Sequence, residues 1–317
     1  MGALGSGGSP AMNPPGLPPL GLRAEPESPS GAWNMAVSVE TQTTLPSVPP
    51  PQRAGWNWRT WPWWAVLLGT FGLWTVVAIL YSPDYQATVR FLFRGIPVTL
   101  QLTVIAYSIA LILGLIAGLG RVSRNVIFYN LSTLYVEFIR GVPLLVVLFY
   151  VAFVAAPPVG DALIGAGQAW GIPPLIQLGR LIRSEMGRAV TGLAIGYGAY
   201  LAEVYRAGIE SIPKGQMEAA RSLGMTYWQA MRLVILPQAI RNVLPPLGND
   251  FIAMLKDTAL ASAIAVPELM YVGRQRAAGT FRYFEVYNTV ALLYLAMTLL
   301  LSLLVRTLER RTAIPRG

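Results

Sequence analysis

Cysteine and histidine are both absent from the 317 residues, which removes disulfides, thiolate or imidazole metal sites and histidine proton relays from consideration. No Gly-x-x-x-x-Gly-Lys-Ser/Thr loop occurs, so the chain does not bind ATP by that route. Charge is scarce: 12% of residues are charged against 54% hydrophobic, and mean hydropathy is +0.50, too apolar for an ordinary soluble protein. The net charge of +9 comes almost entirely from arginine spread among loops. That distribution points to membrane topology and lipid-headgroup contact rather than to nucleic acid. An all-α polytopic membrane protein follows.

Residues 1–60 are rich in Gly, Pro and Ser and show no apolar periodicity, so nothing there offsets the entropy of ordering, and a disordered tail is expected. The tail lacks the basic start and short apolar core of a secretory signal, and translation starting at Met35 is a further expectation. Trp56, Trp58, Trp61, Trp63 and Trp64, with Arg53 and Arg59, form an interfacial belt before the apolar run 65–81. That run and its connector, 61–94, make a first span. A second covers about 97–120, long enough for roughly 30 Å of hydrocarbon at 1.5 Å per residue, with Gly114 and Gly118 at small-xxx-small spacing. The third begins near Val126, is interrupted by Glu137, Arg140, Gly141 and Pro143, and resumes over 144–156, as one bent helix or two pieces.

A Pro- and Gly-rich outside loop is expected over 157–185, then a fourth span over 186–207 with Gly192 and Gly196 four apart. The fifth re-enters at about Ala239 and is expected to be discontinuous or strongly bent, because Pro245, Pro246, Gly248, Asn249 and Asp250 interrupt it before 251–266. The sixth, 284–305, leads into Arg306 and a basic tail, 310–317. About six spans put both termini on one side. The richer arginine count, with Lys214, makes that side cytoplasmic and leaves Asp161 and Arg274 outside.

The most informative stretch is 211–237, polar and set between two spans. Ser211 is placed to cap a helix that Pro213 pre-shapes, with Lys214, Glu218 and Arg221 on one face. Gly224 supplies a left-handed stop, Thr226 and Gln229 read as a capping box for a second helix, and Pro237 ends the run. A DNA-reading helix-turn-helix or an ordinary helical loop also accommodates Ala and Gly at such spacing.

In its membrane context the stretch resembles the cytoplasmic coupling loop of importer permeases of the ATP-binding cassette superfamily. Their E-A-A, three residues, G, nine residues, I-x-L-P signature stands here as Glu218, Ala219, Ala220, Gly224, Val234, Leu236 and Pro237, with Val for Ile. The likeness covers about 95–309 and narrows to the polar amino acid permeases. It is carried by 135–145 (YVEFIRGVPLL), the Gly-Ala-Tyr to Arg206 segment at 198–206, the Pro-Lys-Gly-Gln lead-in at 213–216, the exit at Pro237 and Gln238, and the block 256–260, with Ala259 where Ser is usual.

The resemblance implies a five-helix permease core over 95–309 with one extra N-terminal helix, and a coupling loop at 208–238. It implies a non-enzymatic subunit of the bacterial inner membrane that imports polar L-amino acids. The partners it implies are two cytoplasmic ATPase subunits, a second permease subunit that is the same or homologous, a periplasmic amino acid binding protein, and membrane lipid, with no nucleic acid. ATP and Mg would be bound by the ATPase; neither a cofactor nor a metal is expected in this chain. The residues implied in coupling are Lys214, Gly215, Glu218, Ala219, Ala220, Gly224, Leu236 and Pro237. From the residues alone, a channel, a secondary transporter or a membrane scaffold stay open, although only one clearly broken helix and no inverted repeat are visible.

Charges inside apolar segments cannot face lipid unpaired. Glu137, Arg140, Glu203, Asp250, Lys256 and Asp257 are such groups, and Glu203 with Arg206 is the expected pair. A zwitterionic substrate needs a cation for its carboxylate and an acceptor for its ammonium. Arg140, Asn249, Asp250 and Lys256, beside the proline breaks, are therefore the expected lining of a polar path.

Overall fold

The computed structural model describes residues 62–312, with side chains to 308. The predicted tail 1–60, the start at Met35, the belt residues Arg53, Trp56, Trp58, Arg59 and Trp61, and residues 313–317 lie outside the described residues. What is described is helical throughout: α1 (Trp63–Tyr81), α2 (Pro83–Leu92), α3 (Ile96–Arg121), α4 (Val126–Gly141), α5 (Leu144–Tyr150), α6 (Ala156–Ala169), α7 (Pro173–Arg183), α8 (Glu185–Glu210), α9 (Lys214–Ser222), α10 (Tyr227–Ala230), α11 (Leu236–Asp257), α12 (Leu269–Thr280) and α13 (Tyr283–Thr312). Two π segments, Val151–Ala155 and Met231–Ile235, join neighbours end to end, and a 3₁₀ segment, Thr258–Ile264, extends α11 short of α12. Among the described residues, four stretches are long and apolar enough to cross a membrane: Trp63–Tyr81, Pro83–Arg121, Leu144–Ala169 and Tyr283–Leu308. The predicted fourth and fifth spans, α8 and α11, have the length, at 26 and 22 residues, but carry charge, glycine and proline in place of large apolar residues.

The centre of the fold is the seam between α3 and α8. A Cβ added at Gly114 would stand 2.6 Å from the Cβ of Leu201, and one at Gly118 would stand 2.8 Å from the Ala202 carbonyl oxygen. Only bare backbone fits, which is how small residues draw two membrane helices together. Gly192 and Gly196 do the same toward Leu148 and Leu144 of α5. Leu102, Ala106, Leu193 and Leu201 fill the seam. A second cluster, Leu92, Leu269, Val272, Val286 and Val290, joins α2, α12 and α13, and the Asp84–Arg282 ion pair fastens its edge.

One open alternative is decided and three expectations are corrected. The third span is two pieces: α4 ends at Gly141 and α5 starts afresh after Pro143. It then continues to Ala169, so 157–185 is no loop but the hairpin of α6 and α7, clasped by Asp161 and Arg183. Pro157 and Pro158 pass because the preceding turn is π: the Ala156 N–H reaches back five residues to Val151, and the prolines have no N–H that needs a carbonyl. The fifth span is likewise not broken at Pro245 and Pro246, which lie within α11. Its discontinuity comes later, in the 3₁₀ turns that end on Ala265 at φ 66°. Ser211 closes α8 rather than opening α9, whose N-cap is Pro213.

Candidate functional site

The loop between α8 and α11 is built by local chemistry. The Ser211 hydroxyl donates to the Gly208 carbonyl (2.8 Å) and accepts from Asn242 Nδ2 (2.9 Å), tying the end of α8 to α11. Gly224 adopts φ +81°, and the Met225 N–H returns to the Ala220 carbonyl (3.2 Å), closing α9 with a left-handed glycine. The Thr226 hydroxyl accepts from the Gln229 N–H (3.3 Å) while Gln229 Oε1 accepts from the Thr226 N–H (2.9 Å), the reciprocal cap expected from the sequence.

This loop has an inside and an outside. Ala220 is 3% exposed and Ala230 fully buried, so the hairpin packs through its alanines. Lys214, Gly215, Glu218, Ala219 and Gly224 face outward, and added Cβ atoms at Gly215 and Gly224 meet nothing. Leu223 (79% exposed) and Trp228 (77%) stand beside them. Leu236 is exposed and Pro237 half-buried, where the π segment hands over to α11. The outer face thus presents charge, small residues and two large apolar side chains. Leu223 had no place in the sequence reading; its position beside the predicted stop at Gly224 is the signal that could have marked it.

Next to the loop, charged ends of α3, α4 and α8 converge. Arg121 Nη1 donates to Glu203 Oε2 at 2.9 Å and Arg121 Nη2 to Glu137 Oε1 at 3.1 Å. Arg206 Nε donates to Glu203 Oε2 at 3.2 Å, with further close contacts from Arg206 to Glu203 and Glu210. Arg140 Nη1 lies 3.9 Å from the same Oε2. Three arginines and three glutamates balance, so the cluster joins three helices without net charge. The expected Glu203–Arg206 pair is present, but Arg121, whose side chain is only 13% exposed, was not foreseen. A signal existed: Gly114, Gly118 and Arg121 follow at i, i+4 and i+7, on the stripe that meets α8.

Above the cluster, a cavity of about 200 Å³ is lined by Leu144, Tyr197, Tyr200, Asp250, Ala253 and Asp257. The Tyr197 hydroxyl donates to Asp257 Oδ2 at 2.7 Å, and the Arg140 guanidinium lies 5.8 Å from the Tyr200 ring centroid. Among the described residues no ion pair reaches Asp250. Of the expected path residues, Asp250 lines this cavity and Arg140 adjoins it. Asn249 and Lys256 are exposed and outside its lining. Chemically the cavity offers two carboxylates and two aromatic rings, a setting for an organic cation such as an ammonium group. No cluster of metal-ligating side chains occurs among the described residues.

The sequence profile described as "Binding-protein-dependent transport system inner membrane component" matches residues 110–314. A probable amino-acid permease protein of Bacillus subtilis, YxeN, is 38% identical over 225 residues, which is 71% of this chain and 92% of the relative. The glutamine transport system permease protein GlnP of Escherichia coli is 37% identical over 223 residues, 70% of this chain and 93% of its own. A crystal structure described as an amino acid ABC transporter with histidines has a TM-score of 0.58 at 37% identity, covering 74% of this chain and 97% of that one. The inward-facing MetNI methionine ABC transporter shares the fold, with a TM-score of 0.54 at 23% identity over 71% of this chain and 97% of its own.

Proposed function

This chain belongs to the family of binding-protein-dependent transport system inner membrane components, and from that premise we propose how it works as a permease subunit of an amino acid importer. The outer face of the loop 208–238, with Lys214, Gly215, Glu218, Ala219, Gly224, Leu223 and Trp228, seats a cleft of a separate ATPase subunit that binds ATP and Mg. Ala220, Leu236 and Pro237 serve that face from behind by holding the hairpin rigid and joining it to α11. The observation that carries this reading is the loop's construction. It is capped at both turns and pinned to α8 and α11 through Ser211 and Asn242, while its outer face is left open. A push on that face moves α11 as a lever, and the arginine–glutamate cluster makes α3, α4 and α8 follow together.

The substrate is a polar L-amino acid, delivered outside by a binding protein and passed between this chain and a second permease subunit. Its ammonium group meets Asp250 and Asp257, and Arg140 is the cation within reach for its carboxylate. Asn249 and Lys256 then face the second subunit instead of the cavity. The chain sits in the bacterial inner membrane with both termini and Lys214 cytoplasmic.

Uptake of labelled glutamine, and of a panel of other amino acids, into vesicles holding the full chain should require added ATPase subunits and ATP. Uptake by this chain alone would instead make it a channel or secondary transporter. Orientation is read with single cysteines at 161 and 214 in the cysteine-free chain: an impermeant reagent outside intact cells should label the first alone, and the reverse pattern overturns the assignment.

A further inference from the structure

A cavity of about 610 Å³ lies between the C-terminal end of α8 and the first half of α11, beside the coupling loop and apart from the cavity that Asp250 lines. Small-molecule sites span roughly 300–1,000 Å³, and its size falls among them. Glu203 and Ala207 stand on the α8 wall, and Arg241, Asn242, Pro245 and Pro246 on the α11 wall. The two prolines lie inside a helix that runs on through them. Neither supplies the N–H that the carbonyls of Arg241 and Asn242, four residues earlier, would ordinarily accept from. Among the described residues no side chain donates to either carbonyl. The wall therefore includes two backbone acceptors deprived of their regular donors.

The charges in the wall differ in kind. Glu203 is already held by Arg121 and Arg206, whereas Arg241 is exposed and, among the described residues, no carboxylate reaches it. A simple anion would engage Arg241 and leave the two carbonyls bare. A simple cation would take the carbonyls and be repelled by Arg241. A molecule carrying a carboxylate and an ammonium on one carbon matches both, because a guanidinium pairs with the carboxylate while carbonyl oxygens accept from the ammonium.

We propose that this cavity is a second binding site for a free amino acid, with its carboxylate on the Arg241 guanidinium and its ammonium on the carbonyl oxygens of Arg241 and Asn242. The inference rests on the reading of the chain as an amino acid importer and goes beyond it: cargo that has passed Asp250 is held once more, on the side of the coupling loop, before it leaves.

Ala207 is exposed in the cavity wall, and Ala207→Cys gives the full, otherwise cysteine-free chain a single thiol. With the chain in lipid nanodiscs, the rate of its labelling by N-ethylmaleimide is measured in the presence of each standard L-amino acid in turn. At least one should slow the labelling, whereas acetate and methylammonium at the same concentration should not. Arg241→Gln, at an exposed position, should raise the half-protecting concentration by about tenfold or more, as a lost charge-assisted partner does. Pro245→Ala combined with Pro246→Ala returns the missing donors with a residue that favours helix, and should raise it by about two- to tenfold. Asp250→Asn, in the other cavity, should leave the protection unchanged. The proposal is overturned if no amino acid slows labelling, or if acetate or methylammonium protects equally well. It is also overturned if Arg241→Gln or the alanine pair leaves the half-protecting concentration unchanged, or if Asp250→Asn removes the protection. Absence of protection with ATP-dependent uptake intact discards this site alone; protection without such uptake discards the importer reading and keeps the binding site.

Discussion

Helices α1 and α8 are both long enough to cross a bilayer, yet they are opposites. α1 is strongly apolar, without a charged residue, and Thr75 is its one buried residue. α8 falls short of that apolarity, yet thirteen of its 26 residues are buried, nine of them glycine or alanine. In water the more apolar helix would be the core. In a bilayer lipid tails are as apolar as leucine, so large side chains gain nothing by leaving them, and helices join where small residues let backbones touch. The packed helix is thus marked by what its side chains lack.

That contrast can be broken in four ways. The largest effect is expected at the seam: Gly114→Leu drives a branched side chain against Leu201 and the Gly198 carbonyl oxygen, which a first added carbon already approaches to 3.1 Å. Overpacking costs about 1–3 kcal/mol and more where backbone must move, so the variant should aggregate on size-exclusion chromatography. Next is Ala220→Trp, which overfills the loop's interior. It should insert in the membrane at normal levels but abolish ATP-dependent uptake, and normal uptake would show that the hairpin's shape is irrelevant to coupling. Glu203→Gln leaves Arg121 and Arg206 without their shared carboxylate. Because the site is partly solvated, the loss should stay below the 3–5 kcal/mol of a fully buried broken pair, seen as a lower melting temperature in detergent that Glu137→Gln reproduces only weakly. Smallest of all is Leu67→Ala on α1, a large deletion at a residue 71% exposed; it should leave stability within about 0.5 kcal/mol. A large loss there would mean that α1 has a protein partner, and the contrast with α8 would need redrawing.

Much of this was legible beforehand, for local reasons. The glycine pairs four apart, the Thr226–Gln229 cap, the stop at Gly224 and the Glu203–Arg206 pair each depend on residues within one or two turns of one another. What depends on distant chain was not legible. Arg121 meets Glu203 across 82 positions; its spacing from Gly114 and Gly118 puts it on the stripe that meets α8, but no spacing rule names its partner. Ala219 and Ala220 look alike in sequence; only the returning π segment and α10 decide that the second points inward. The prolines misled for another reason. Pro157, Pro245 and Pro246 each remove a backbone donor, which usually ends a helix, but in a membrane the neighbouring helices and local widening can satisfy what is freed. Composition misled similarly at 157–185, where Pro and Gly sit in a helical hairpin with Gly160 and Gly179 at its crossing.

The two π segments share a pattern: five residues, one more, then a proline, at Val151–Ala155 before Pro157 and at Met231–Ile235 before Pro237. A wide turn of this kind holds one residue more than the helix on either side of it, and each residue of an α-helix advances the chain by about 100°. The segments therefore take up an odd residue without turning the helix beyond them. Removing one residue from Met231–Ile235 would restore an ordinary helix and leave α11 facing nearly as it does now, because about four α residues turn the chain as far as about five residues of a wide turn. The same deletion at Ala239, in ordinary α-helix, has no wide turn to absorb it and would rotate the rest of α11 by about 100°. Asp250 and Asp257 would swing away from Tyr197, and Asn242 from Ser211, with the helix's own backbone ladder re-formed. For this chain the loss of one residue is a rotation or almost nothing, according to whether a wide turn is there to take it up.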